Sequence, residues 1–224
     1  MLKLYKLQKS FDKKRPVLRE ITFSLAPGSA ICIAGRNATG KTTLLRLASG
    51  LLLPDSGTVS CSGKIAFVPQ EPVLLPELTV LDNLRLWYSA QGLDGPFFAE
   101  KSPETALGLL PFRKKRAGAL SGGIKKRLSI ATALVGSPNF LLLDEPFAAL
   151  DAPGCHELSL LFCRLKAQGI GILFTSHEPA QIAALADDVF LLQDGRLSRT
   201  LTLSDISKEQ RESSVLALLF NTAL

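Results

Sequence analysis

Nowhere does this 224-residue chain stay apolar for the roughly 18–20 residues that a membrane-spanning helix needs. Its first nine residues alternate apolar and basic side chains and lack the apolar core of a secretory signal. The expectation is a soluble protein, at most peripheral to a membrane. Histidine is scarce, with two residues, and the four cysteines at 32, 61, 155 and 163 form no C-x-x-C pair and no Cys/His cluster of zinc spacing. This excludes a zinc-stapled or disulfide-stapled fold and suits reduced thiols in a cytosolic protein. Internal repeats and low-complexity segments are missing too. Hydrophobic residues make up 46% and charged residues 21%, which excludes disorder of the whole chain.

Positive charge is in excess, at a net +6. That balance favours anionic partners without naming one. No aromatic-basic binding motif accompanies it, so a nucleic-acid partner is not expected. A chain of this length buries roughly 70% of its unfolded surface, enough for one core with an inserted subdomain.

Leu2 and Leu4, and later Ile21, Phe23 and Leu25, alternate with polar residues, the period of half-buried antiparallel strands. Between them, residues 12–16 (D-K-K-R-P) read as a solvated turn. Short continuous apolar runs at 30–34, 64–69, 140–143, 170–175 and 189–192 read as buried strands. Their alternation with helices predicts a mostly parallel sheet covered on both faces.

Residues 73–135 carry no strand signal. Thr79, with Asp82 three residues on, caps a helix expected over 79–91. Further helices are expected near 103–110 and 124–135, with 92–103 the least regular part. The segment reads as a helical subdomain of some sixty residues inserted in an α/β core made of 1–72 and 136–203. An amphipathic C-terminal helix over 204–224, densest at 204–220, packs on that core or meets a partner, and packing is preferred. Trp87 and Tyr88 read first as packing residues. His156 reads as a surface residue on a helix.

Gly35 to Thr42 (G-R-N-A-T-G-K-T) match G-x-x-x-x-G-K-[ST] between an expected strand and an expected helix. In that setting backbone N–H groups wrap a polyphosphate and the helix N-terminus adds positive potential. The two glycines permit the turn and the close approach. Lys41 would contact the β- and γ-phosphates, and Thr42 would offer its hydroxyl to Mg²⁺. The run F-L-L-L-D-E-P at 140–146 delivers two carboxylates to the C-terminal end of a buried strand, where ligands sit in open α/β sheets. Asp144 suits Mg²⁺, and Glu145 suits a general base for water. L-S-G-G at 120–123 reads as a helix N-cap by Ser121 followed by glycines that leave N–H groups bare, a second anion site. One nucleotide does not need two such sites in one chain. Two chains arranged head to tail do.

P-loop, L-S-G-G, L-L-L-D-E-P and a downstream histidine, in that order, resemble the nucleotide-binding domains of ABC ATPases over essentially the whole chain. The resemblance implies a P-loop NTPase fold with an N-terminal antiparallel β subdomain, ATP and Mg²⁺ as ligands, and ATP hydrolysis as the activity. It implies that Gly35, Arg36, Asn37, Ala38, Thr39, Gly40, Lys41, Thr42 and Thr43 bind nucleotide, and that Gln70 joins Thr42 and Asp144 near the metal. Ser121, Gly122, Gly123 and Asp151 would serve across a dimer, and His177 would sit near the γ-phosphate. Phe11, thirty residues before Lys41, stands where the family stacks an aromatic on adenine, with Tyr5 the other choice. Four residues depart from the commonest pattern: Arg36 for proline, Ala38 for glycine, Thr42 for serine and Ile124 for glutamine. None removes a phosphate donor, a metal ligand or a base.

The family further implies a second nucleotide-binding subunit, homologous or identical, and an integral membrane permease at the inner face of the cell membrane. Trp87 and Tyr88 would then line the groove for its cytoplasmic segment. Residues 78–92 and the K-K-R-L-S tail resemble bacterial export-type ATPases, so export is the expected direction. The rival is a soluble ABC ATPase acting on a partner such as an iron–sulfur cluster assembly scaffold. Ribosome-acting relatives carry two such domains and chromosome-type relatives a long coiled-coil insertion.

Overall fold

The structure, a computed structural model, describes residues 1–12, 15–90, 92, 97–100 and 102–220. The chain runs through β1 (Leu2–Asp12), β2 (Arg15–Leu25), β3 (Ala30–Ala34), α1 (Lys41–Ala48), β4 (Ser56–Cys61), β5 (Ile65–Val68), α2 (Val80–Ala90), α3 (Pro103–Ala106) and α4 (Gly122–Leu134). It continues through β6 (Phe140–Leu143), α5 (Ala152–Ala167), β7 (Gly171–Ser176), α6 (Pro179–Leu185), β8 (Asp188–Gln193), β9 (Arg196–Thr202) and α7 (Lys208–Phe220). Among the described residues these strands form two sheets. One is antiparallel in the order β2-β1-β4. The other has the order β5-β6-β7-β3-β8-β9, parallel except for its β9 edge.

In β1 and β2, Leu2, Leu4, Ile21, Phe23 and Leu25 are buried, as the alternation predicts. A bulge at Lys6, at φ 48, resets the period so that Leu7 rather than Lys6 turns inward. β3 is buried at every position. Ile31 and Ile33 join the core beneath the antiparallel sheet, and Ala30, Cys32 and Ala34 join the core on the opposite face. A continuous apolar run is what a strand covered on both sides requires. α1 has only eight residues, too short to persist in isolation. Burial of Leu44, Leu45 and Leu47 between the two sheets holds it, each contributing about 1.5–3 kcal/mol. α4, α5, α6 and α7 contribute to the core on the other face.

Several boundaries differ from the sequence expectation. The turn at 12–16 is narrower, because Asp12 pairs with Arg15 and Ser10 with Pro16. Its centre, residues 13–14, lies outside the described residues, as do Gln91, residues 93–96 and 101 of the irregular part at 92–103, and the chain end at 221–224. α3 stops at Ala106, and a separate 3-10 turn covers Leu110–Phe112. α7 starts at Lys208, four residues after the expected Ser204, and buries Val215 in the core. β4 and β9 were not expected at all.

Candidate active site

α1 opens at Gly40, which lies at φ 104 and has no side-chain cap. A Cβ there would stand 2.9 Å from Val17 Cγ1, so glycine answers both the backbone and the space. The first intrahelical bond runs from Leu44 N–H to Gly40 O, which leaves the amides ahead of it for a ligand. No acidic residue occupies the first turn to compete for them. The loop before the helix is held from within. The Thr39 hydroxyl donates to Arg36 O at 2.9 Å, and Lys41 Nζ donates to the carbonyls of Gly35 and Arg36 at 2.8 and 2.9 Å. Lys41 is almost fully buried, at 7% exposure, and retains one N–H for another acceptor.

A cleft of roughly 490 Å³ opens over this helix end, within the range of small-ligand sites. Asn37, Ala38, Gly40, Lys41, Thr42 and Thr43 line it from the loop and α1, and Asp144, Glu145, Ala148 and His177 from the C-terminal ends of β6 and β7. Gln70 enters just after β5, and Phe11 and Val17 from β1 and β2. Phe11 is 67% exposed with Lys9 Nζ 5.9 Å from its ring centroid, a face free to stack. Tyr5, the alternative, does not line the cleft.

The acidic pair is tightly placed. Thr42 Oγ1 donates to Asp144 Oδ2 at 2.7 Å, and the buried Thr175 Oγ1 donates to Asp144 Oδ1 at 2.7 Å. Glu145 donates its own N–H to Thr175 Oγ1 at 2.9 Å and sits at φ 45, in the left-handed region that non-glycine residues seldom adopt. Its side chain reaches His177, with Nδ1 to Oε1 at 3.2 Å. An ionised carboxylate accepts here, which suits a proton on Nδ1, and Nε2 stands 3.6 Å from Glu178 Oε1. About half of the His177 side chain is exposed. The Thr42 hydroxyl and the Asp144 carboxylate, with Gln70 alongside, form an all-oxygen donor set suited to a hard divalent cation. Mg²⁺ therefore fits.

Ser121, Gly122, Gly123 and Asp151 are not in this cleft. Ser121 is exposed and caps α4 by accepting from Ile124 N–H at 3.5 Å. Asp151 caps α5 through Gly154 N–H at 3.0 Å. The two turns adjoin, since a Cβ on Gly123 would lie 3.0 Å from Leu150 Cδ2. They form one surface apart from the phosphate loop.

Two residues that the sequence reading passed over belong to the site. Thr175 is one. Lys126 is the other: it is 2% exposed, and its Nζ donates to the carbonyls of Pro69 and Gln70 at 3.2 and 2.6 Å. It ties α4 to the loop that carries Gln70. Burial pushes its pKa below the ordinary lysine range, against the opposing pull of the Asp144 and Glu145 carboxylates.

A family model described as "ABC transporter" matches residues 18–148. The chain is 37% identical over 214 residues to an aliphatic sulfonates import ATP-binding protein of Corynebacterium glutamicum, covering 92% of this chain and 85% of that one. It is 30% identical over 213 residues to a lipopolysaccharide export system ATP-binding protein of Acidithiobacillus ferridurans, covering 88% of each. Among solved structures it is similar to a dimeric ATP-binding cassette in a post-hydrolysis state with ADP and Pi, at 25% identity and a TM-score of 0.79, over 91% of this chain and 99% of that one.

Proposed function

The chain belongs to the ABC transporter family of ATP-binding, ATP-hydrolysing cassettes, and from that premise we propose that its ATP hydrolysis powers transport through a separate membrane permease. The observation that carries the reading is the convergence of Lys41, Thr42, Asp144, Glu145 and His177 on one cleft at a helix N-terminus.

In the proposed mechanism the loop amides and Lys41 hold the β- and γ-phosphates of ATP, and Phe11 stacks on adenine. Thr42, Asp144 and Gln70 would hold Mg²⁺, which when bound neutralises charge on the phosphate oxygens. Glu145 takes a proton from the attacking water as the water oxygen bonds to the γ-phosphorus and ADP leaves. His177 holds the Glu145 carboxylate through Nδ1 and stays within reach of the γ-phosphate. The surface of Ser121, Gly122, Gly123 and Asp151 serves the nucleotide of a second cassette, which supports a head-to-tail pair. Replacing Glu145 by Gln is expected to lower turnover by about 10²–10⁴-fold, the usual worth of a general base, with ATP binding kept. Near-normal steady-state hydrolysis by that variant would remove Glu145 from the role.

The permease would dock on the helical segment. Among the described residues no helix is long and apolar enough to cross a membrane. Val73, Leu75, Leu86 and Trp87 are all exposed, and the buried Asn83 fixes the 73–75 segment on α2 by bonding both N–H and C=O of Leu75. That apolar surface begins three residues after Gln70, a short path between cleft and partner. Tyr88 instead packs edge-on against Phe97, with centroids 4.9 Å apart. Export is the direction expected from the sequence; the chain resembles relatives named for import, at 37% identity, and for export, at 30%, and neither sets its direction.

A further inference from the structure

Thr175 is the penultimate residue of β7, and none of its surface is exposed. The register of β6 and β7 pairs Leu143 with Phe174, so Asp144, just past the end of β6, lies beside Thr175, which is still within β7 and pairs with Ile33 of β3. A threonine hydroxyl has one proton to give and lone pairs to accept with. Here both capacities are used on the same acidic pair. The proton goes to Asp144 Oδ1 at 2.7 Å, and the oxygen receives Glu145 N–H at 2.9 Å. The partners dictate these directions, because an amide only donates and a carboxylate only accepts.

We propose that Thr175 is a positioning residue for ATP hydrolysis, one hydroxyl that orients the metal-binding carboxylate of Asp144 and the backbone of the general base Glu145 together. The proposal rests on the roles given above to those two acids. With Oδ1 held from inside the sheet, Oδ2 is turned toward Thr42 and the cleft, the orientation a cation shared by the two would need. Glu145 stands at φ 45, and its amide has Thr175 as its partner. Without that hydroxyl the amide is left unsatisfied and the left-handed backbone loses its restraint, while the carboxylate of Asp144 keeps only the bond from Thr42 to orient it. Groups that hold a metal ligand from behind typically matter 10–100-fold for metal affinity or activity.

The test uses the full chain with Thr175→Val, which keeps the shape and removes the hydroxyl, and Thr175→Ser, which keeps the hydroxyl. Thr175→Ala takes the place of the valine variant should that one not fold by circular dichroism. Binding of a fluorescent non-hydrolysable ATP analogue is measured in EDTA and across a Mg²⁺ titration, and steady-state hydrolysis is measured in parallel. The expected result for Thr175→Val is metal-free binding unchanged, a half-saturating Mg²⁺ concentration raised about 10–100-fold, and a kcat lowered with little change in KM. Thr175→Ser restores both toward wild type. Wild-type Mg²⁺ dependence and kcat in the hydroxyl-free variant overturn the proposal and leave the ATPase reading standing. An equal loss of metal-free and metal-dependent binding overturns it as well, because that is the mark of a purely structural threonine. Should the wild-type chain neither bind nucleotide in a Mg²⁺-dependent way nor hydrolyse it, the functional reading fails and the role of Thr175 falls with it.

Discussion

Cys32 lies on β3, the strand that feeds the phosphate loop, and none of its surface is exposed. Burial pushes its thiol far above the ordinary range. A backbone hydrogen bond with Ser176 lowers it, the Glu145 charge raises it and Lys41 lowers it, none enough to offset the burial. The folded chain therefore keeps this proton at a pH where the unfolded chain, with an ordinary thiol near 8.5, has lost it. Stability that depends on the proton is fully present below about pH 8.5 and falls as pH rises from there, by about 1.4 kcal/mol per pH unit at most. Cys32→Ala has no such proton. Denaturant unfolding of both proteins under reducing conditions from pH 7 to 10 should show the alanine variant's deficit shrinking above about pH 8.5. A deficit constant across that range would contradict the argument. The same burial suits the neighbourhood's function, because an inert thiol beneath the phosphate loop does not compete for metal or nucleotide.

At the scale of elements, α4 and α5 present Ser121 and Asp151 side by side. Each helix begins with an oxygen-bearing cap, and Arg127 of α4 reaches Glu157 of α5 at 2.8 Å. With Glu157 largely exposed, that ion pair adds little stability. The Asp151 cap matters more locally, so Asp151→Ala is expected to cost the isolated chain about 1 kcal/mol in urea unfolding without nucleotide. No change in the midpoint would mean that the cap is replaced by water.

The elements also show what was legible beforehand. The phosphate loop, the acidic strand end and the two-sided burial of β3, β6 and β7 could be read because local pattern and final environment agree. β9 was missed although its signal was present. Asp194 and Gly195 form the two-residue connection after β8, both at positive φ, the chemistry of a tight hairpin. β4 (S-G-T-V-S-C) is a polar edge strand with no buried residue, defined by its pairing to β1 rather than by any apolar pattern. Thr175 and Lys126 were invisible for a different reason. Thr175 reads as the end of an apolar run, and only the register against β6 brings it to Asp144. Lys126 is one of three successive cations, and only the packing of α4 against the Gln70 loop marks it as the buried one.

For the molecule as a whole, the cleft and the surface of Ser121 and Asp151 would face different partners on the proposed reading. Phe11, the phosphate loop, Gln70, Asp144, Glu145 and His177 share one cleft, whereas Ser121 to Gly123 and Asp151 lie elsewhere on the same chain. If the second surface serves nucleotide as proposed, a single copy holds two halves of a site that do not meet, which is the geometric reason for proposing a pair. The exposed apolar side chains of the helical segment are a third surface, the one proposed above for the permease. On the proposed reading, ATP bound between two cassettes would favour their closed state, and that difference in affinity would be what is passed to the membrane partner.

The most direct measurement is affinity purification of the tagged chain from detergent-solubilised membranes of the native cells, with identification of what comes with it. The account predicts a polytopic membrane protein in stoichiometric amount, together with a second cassette that is either this chain or a close relative. Recovery of a soluble scaffold alone, with no membrane protein, would contradict the transport role while leaving the ATPase site as described.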